Sequence, residues 1–554
     1  MCRVALLFAA PAPHTAPAFM TSAKKRISQV TFDETVRENM EEFELEREEA
    51  VKDAFRQFTS QGVDLSNICV ALHECDGHWL EEVDAQLSAL TACLDNGVQI
   101  ALPAAWDRVG TVVTLKALHA ALTEADVDKA ANARKLMGSK ETVNVLARLW
   151  QQEEKEAPAA AAADTAGADA RLLALAVTQA LCSGGPAGEA SRDAFWPTSM
   201  RMLCDAAKHA YAQKNQAFNF PSLTLVRVLC TRAEDNKVSF VRYGGLDLLL
   251  GALKEEPWAS DRNIVCEACG ALKAVTAVDD FRKDFSASHT HTRALVGKGA
   301  IPLLLQACHR FPTDLDTVAA ALAALRNLAN NDESVNQIAS EGGLDLAVRA
   351  LEAYWTHPPL AQTAIGLFRN VSADDRHKTS LCNNGAAELM LKAMRNHGEE
   401  VKIQEHGLAT MGAMALRSPD NCRQLVGLGA VLVILQALRQ HAEARTIQRQ
   451  ACLAVRNMVS RVPELGEAFL EGGAEPLLRL AGRYQESVDE AYAALRDLKC
   501  DVKRVMVDPA TGKVQDLEQF GSTKSCFNPV FDSSNDIEGA VEAAISEPSN
   551  SYRF

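Results

Sequence analysis

GGLDLAVRAL, residues 342–351, has a near-copy 43 residues upstream, GAIPLLLQAC (299–308), and another 43 downstream, GAAELMLKAM (385–394). The series continues with GAVLVILQAL (429–438) and GAEPLLRLAG (473–482), and it is preceded by GGLDLLLGAL (244–253). The leading glycines are 55, 43, 43, 44 and 44 residues apart. A forty-odd-residue period held through successive intervals is the signature of a repeat array. The one long interval is accounted for by an insertion, VDDFRKDFSASHTHT, running from Val278 to residue 292.

Each repeat has the same internal grammar. A short amphipathic helix such as SVNQIAS (334–340) ends at a glycine that can take the left-handed conformation without a Cβ penalty. A second helix starts at once, with Pro302 and Pro476 in its first turn, where a missing N–H costs nothing. After a polar turn a third helix follows: LAALRNLANN (322–331), IGLFRNVSAD (365–374) and LAVRNMVSR (453–461). Each unit is apolar on more than one face, so it buries its surface only against neighbouring units. The sequence therefore predicts an all-α solenoid with three helices per repeat and a period of about 43.

Composition agrees. Aromatic residues make up only 6% of the chain, which favours helices packed through Ala and Leu over sheets of aromatic and β-branched residues. The net charge of −15 argues against nucleic acid or an anionic membrane as a partner of the whole molecule. No run reaches the eighteen or so apolar residues of a membrane span. Fifteen cysteines, an odd number without framework spacing, are expected as free thiols in a reducing compartment, placing the chain in the cytoplasm or also the nucleus. The opening MCRVALLFAAPAPHTAPAFM (1–20) loosely imitates a signal peptide and reads as a dispensable leader before a start at Met20.

Outside the regular array the pattern is looser. Residues 21–79 are expected to form an N-terminal helical segment. Thr31 and Glu34 suggest a capping box, Phe32, Val36, Met40 and Phe43 an apolar stripe, and Val51, Ala54, Phe55 and Phe58 the inner face of a second helix that stops near Gly62. Residues 80–222 read as divergent helical repeats, including TVVTLKALHAAL (111–122) and ETVNVLARLW (141–150). They are interrupted by a low-complexity linker, QQEEKEAPAAAAADTAGADA (151–170). The regular repeats occupy 223–502, and 503–554 lose periodicity and are expected to be mostly disordered.

Three helices per unit, a Gly-x-x-x-L-L opening of the second helix and an L-R-N-L third helix resemble the armadillo repeat family. The resemblance implies a right-handed α-solenoid and a non-catalytic scaffold or adaptor that binds a protein or peptide partner, as a monomer and without cofactors. In peptide-binding members of that family an Asn on each third helix holds the extended backbone of the partner. The equivalent positions here read Val228, Ala274, Asn327, Asn370, Ala413, Asn457 and Asp497, so only Asn327, Asn370 and Asn457 are carried over. Those amides either line a peptide groove or bond to neighbouring repeats. One residue earlier the row reads Arg227, Lys273, Arg326, Arg369, Gly412, Arg456 and Arg496; its six basic members either form a stripe for an acidic peptide or pair with carboxylates of adjacent repeats. Recognition of basic cargo in the manner of nuclear-import adaptors needs a Trp one turn before each Asn, where Ala323, Gly366 and Leu453 stand instead.

Catalytic signatures are sparse. The chain has no G-x-x-x-x-G-K-S/T loop, no H-E-x-x-H and no G-x-S-x-G elbow, and no catalytic, cofactor or metal residue is assigned. Cys266 and Cys269 form a C-x-x-C without a second pair and read as core thiols. Cys69, His73, Cys75 and His78, or His289 and His291 with Asp279 and Asp280 upstream, are the places where a metal-binding enzyme would have to be sought. The insertion carrying His289 and His291 is otherwise expected as an exposed loop where binding residues collect. A scaffold, a metal-binding enzyme and a nuclear transport adaptor are thus the competing functions.

Overall fold

The structure, a computed structural model, describes residues 29–42, 45–61, 108–123, 142–147 and 170–502 except 184, the stretches 505–507, 514–516 and 529–530, and isolated positions 27, 63, 65, 85, 130, 133, 134, 137 and 150. The leader 1–20, the cluster Cys69 to His78 and nearly all of the linker lie outside these residues. The chain divides into two compact units, one of residues 1–245 with 278–286, the other of 246–277 with 287–554.

In the first unit, Gln29–Glu42 and Arg47–Ser60 form a helical hairpin around Phe32, Val36, Ala50, Val51, Ala54 and Phe58. The Phe32 and Phe58 ring centroids lie 6.1 Å apart. Two expectations are corrected here. The first helix begins at Gln29, so Thr31 lies inside its first turn and does not cap it. Phe55 faces solvent, because the inner stripe of the second helix runs through Val51, Ala54 and Phe58. Further along, Arg108–Leu122, Ala170–Cys182 and Gln216–Cys230 pack in succession, which makes them the third helices of divergent repeats.

The second unit is the regular array. Its third helices, Arg262–Thr276, Leu315–Leu328, Pro358–Val371, Val401–Ala415, Arg445–Val459 and Val488–Asp497, pack each against the next. Successive second helices, from Ala300–Arg310 to Ala474–Ala481, do the same. Six glycines of the repeat register, Gly244, Gly299, Gly342, Gly385, Gly429 and Gly473, have φ between 78° and 88°. Each separates a short first helix from the second helix, where a left-handed residue reverses the chain and any Cβ would be strained.

Recurrent side chains fasten one repeat to the next. Arg395 and Arg439 donate to the carbonyls of Leu428 (2.6 Å) and Gly472 (3.0 Å), each just before a left-handed glycine. Within repeats, the buried Gln404 and Gln448 each donate to two carbonyls at the end of the preceding helix, Met394 and His397 for the first, Leu438 and His441 for the second. These carbonyls belong to helix ends, where no intrahelical N–H reaches them. The core is aliphatic, and the buried cysteines are part of it: burial pushes the thiols of Cys308 up to about 12 and of Cys382 up to about 11.

One cap gives a pH-dependent prediction. Asp374 accepts the Arg376 amide at the start of Asp375–Asn383, and the Arg376 guanidinium holds its carboxyl down to about 2. A depressed carboxylate contributes stability above its unfolded pKa of about 3.9 and loses it as pH falls through its folded value. Asp374→Ala is therefore expected to cost about 1 kcal/mol at neutral pH. Denaturation at stepped pH should show that difference shrinking below about pH 4 and lost only below about pH 2.

Beyond the last helix, in the tail expected to be mostly disordered, the described residues form three short antiparallel strands, β1 (Val505–Val507), β2 (Val514–Asp516) and β3 (Pro529–Val530), in the order β2-β1-β3. No single helix among the described residues is long and apolar enough to cross a membrane.

Candidate binding face of the third helices

The last turn of each third helix leaves backbone carbonyls without intrahelical partners, and the repeat sequence places an Asn where it can reach them. Asn327 Nδ2 donates to the Lys273 carbonyl and the Thr276 hydroxyl, both at 3.1 Å. Asn370 Nδ2 donates to the Arg326 carbonyl at 3.0 Å, and Asn457 Nδ2 to the Gly412 carbonyl at 2.9 Å. Each acceptor sits on the preceding third helix, so the three amides cap their neighbours. Of the two fates the sequence left open for them, they take the inter-repeat bond.

The side chains of three members of the adjacent basic row stay outside such bonds. Arg326 is half-buried, Arg369 and Arg456 are exposed, and among the described residues none of the three forms an ion pair. Arg496 does pair, with Asp497 beside it at 2.7 Å. Lys273 is exposed on the first third helix of the same unit, whereas Arg227 belongs to the other unit. Burial and the charge of Arg369 lower the pKa of the Arg326 guanidinium. Carboxylates are at hand on these helices but are engaged elsewhere: Glu405 with Lys402 at 2.9 Å and Glu490 with Arg449 at 2.9 Å.

Between Arg326 and Arg369 the structure adds a residue that the sequence did not single out. His406, on Val401–Ala415, has its Nδ1 3.3 Å from the carbonyl of Gln362, one turn before Gly366. A Cβ at residue 366 would lie 2.8 Å from Arg326 Cδ and 3.2 Å from His406 Nδ1. The lack of a side chain at Gly366 thus lets Arg326 and His406 both lie close against the helix at that point. Burial lowers the pKa of His406 and the two arginines push it the same way, against the Gln362 carbonyl and Glu405. The only sequence signal was a single histidine on a third-helix face.

The other candidate residues do not converge. His291 is buried, 3% exposed, with Nδ1 3.3 Å from the Val275 carbonyl, so it cannot meet a partner as expected. The helix Ser288–Gly297 begins inside the insertion and turns that face inward. His289 stays exposed, with its Nδ1 3.4 Å from Asn330 Nδ2. The remaining segment 278–286 is clamped to the first unit. Asp279 meets Lys237 at 2.5 Å, Arg282 bridges Asp193 and Asp280 at 2.6 and 2.8 Å, and Lys283 meets Asp235 at 2.9 Å. The aspartates proposed as metal neighbours are engaged in this network. Burial raises the pKa of the Cys266 and Cys269 thiols, which disfavours the thiolates a metal would require.

Third helices stacked at a constant period, each repeat turning on a left-handed glycine, define an armadillo-repeat protein. Residues 113–516 match the ARMC6 family, and residues 24–84 match the Armadillo repeat-containing protein 6 N-terminal domain. The chain belongs to the armadillo repeat-containing protein 6 family. Armadillo repeat-containing protein 6 of Homo sapiens is 29% identical over 316 residues, covering 57% of this chain and 57% of that protein. The chain thus matches a little over half the length of that curated relative. Protein aardvark of Dictyostelium discoideum is 35% identical over 111 residues, 20% of this chain and 14% of its own. A crystal structure of an engineered protein aligns over 78% of this chain and 98% of its own with a TM-score of 0.52 and 17% identity, a likeness of fold.

Proposed function

We propose that the chain is a non-catalytic armadillo-repeat adaptor whose third-helix face in the second unit holds an extended, acidic segment of a protein partner. The observation that carries this reading is the row Arg326, Arg369 and Arg456, which forms no ion pair among the described residues although the chain is acidic overall. Unpaired guanidiniums at a repeat spacing suit carboxylates on an extended chain, because the planar fork accepts a carboxylate through two parallel bonds. The same charge disfavours a basic cargo, which weighs against the nuclear transport adaptor. The Asn370 amide supports the reading indirectly, since it fixes the backbone of Arg326 against the next third helix.

The test is charge reversal. Arg369→Glu is expected to leave folding stability within about 0.5 kcal/mol, because the side chain gives up no ion pair. It should weaken binding of a Glu-rich extended peptide by on the order of tenfold, the worth of a lost charge-assisted contact. Wild-type affinity should fall steeply as salt is raised. Wild-type binding that ignores both the reversal and the salt would refute the acidic-segment reading.

A further inference from the structure

We infer that Arg326, Arg369 and His406, gathered around Gly366, form a subsite for a phosphorylated side chain of the bound segment. This rests on the acidic-segment reading above and names one anchor within it. Four observations converge on one place. Arg326 Cδ and Nη1 lie 2.8 and 3.4 Å, and His406 Nδ1 3.2 Å, from the point a residue-366 Cβ would occupy. Arg369 stands three residues after Gly366, on the same helical face. Neither arginine is paired with a carboxylate among the described residues, and the nearest acidic group of the adjoining helix, Glu405, is held by Lys402 at 2.9 Å. The main chain at Arg326 is held to the next third helix, since its carbonyl accepts from Asn370 at 3.0 Å.

The charge count selects the ligand. Two guanidiniums are near enough to act on the His406 imidazole, which burial and those same cations discourage from protonation. A carboxylate supplies one negative charge and would leave the pair half-neutralised. A phosphomonoester carries about −1.5 to −2 near neutral pH and three acceptor oxygens, enough for two arginine forks and the imidazole. The groups acting on His406 are Arg326, Arg369 and Glu405, with the Gln362 carbonyl at Nδ1. A bound dianion would reverse the local field, so His406 should take up its proton at higher pH.

The experiment uses the full chain and a short Glu-Ser repeat peptide, prepared without phosphate and with one central phosphoserine, at matched ionic strength. The phosphorylated form is expected to bind on the order of tenfold more tightly. That preference should disappear in Arg369→Gln and in Gly366→Ala. The methyl at residue 366 would meet Arg326 Cδ and so displace that side chain, and chemical denaturation of both variants separates loss of the site from loss of the fold. Imidazole NMR, with His406 assigned through His406→Gln, should show its titration moving to higher pH with the phosphopeptide and not with the unphosphorylated one. Equal affinity for both peptides, or a preference that survives Gly366→Ala, overturns the subsite and leaves the acidic-segment reading standing. Failure of both peptides to bind overturns the two together.

Discussion

Replacing Lys237 by alanine should destabilise the first unit by about 3 kcal/mol, the cost of removing one partner from a buried ionic cluster. The lysine lies on Glu234–Arg242 with its side chain 1% exposed, 2.5 Å from Asp279 and 3.5 Å from Glu234. Without it a carboxylate 7% exposed and another 28% exposed face each other with no cation between them. Asp279 is also where the 278–286 segment begins its attachment, accepting the Arg232 amide at 3.1 Å. Loss of the lysine should therefore release the segment as well as lower stability. Urea denaturation should show the loss, and limited proteolysis should show new cleavage between residues 278 and 286. Lys237→Met combined with Asp279→Asn and Glu234→Gln should recover much of the difference, because a neutral cluster needs no counter-charge. A single Lys237→Ala variant as stable as wild type would mean that the cluster contributes nothing to the fold.

The second large effect is expected from the triple variant Asn327→Ala, Asn370→Ala, Asn457→Ala. If these amides served only a ligand, their removal would leave stability unchanged. Instead each caps a carbonyl of the preceding third helix, at 2.9 to 3.1 Å. A side-chain bond of this kind contributes about 1 kcal/mol, so the triple variant should lose roughly 3 kcal/mol if the sites act independently. Asn457, the most buried of the three, should cost the most alone. Chemical denaturation of the single variants and the triple variant checks both the size and the additivity. The consequence for function is practical. Loss of partner binding in this variant would not locate a site, whereas Arg369→Glu removes no bond that the fold uses.

The insertion shows how a plausible sequence reading can misplace a function. Its two histidines and two aspartates looked like a loose ligand set, yet Asp279 and Asp280 are engaged in ion pairs and one histidine lies in the core. What the segment presents to solvent is aromatic: Phe281 and Phe285 are 86% and 89% exposed. Nothing in the local pattern distinguished these residues from the ones that turned inward, because the segment has no helical or strand periodicity to assign faces.

Much of the fold was legible in the sequence because it depends on local constraints. The six register glycines had to adopt positive φ, since a short helix meeting the next at a one-residue corner leaves only the left-handed region, and all six do. The period fixed which helices are equivalent, and equivalence alone put Asn327, Asn370 and Asn457 at matching positions. Pairing across repeats was a different question. Whether an Asn amide reaches a ligand or the preceding helix depends on the offset between stacked third helices, a quantity that no single repeat encodes. The same offset leaves Arg326 and Arg369 beyond their neighbours' carboxylates and brings His406 from the following repeat over Gly366. The sequence alone determined the repeat, its turns and its buried faces; only the packing of one repeat on the next decided which polar groups are used up by the fold and which remain for a partner.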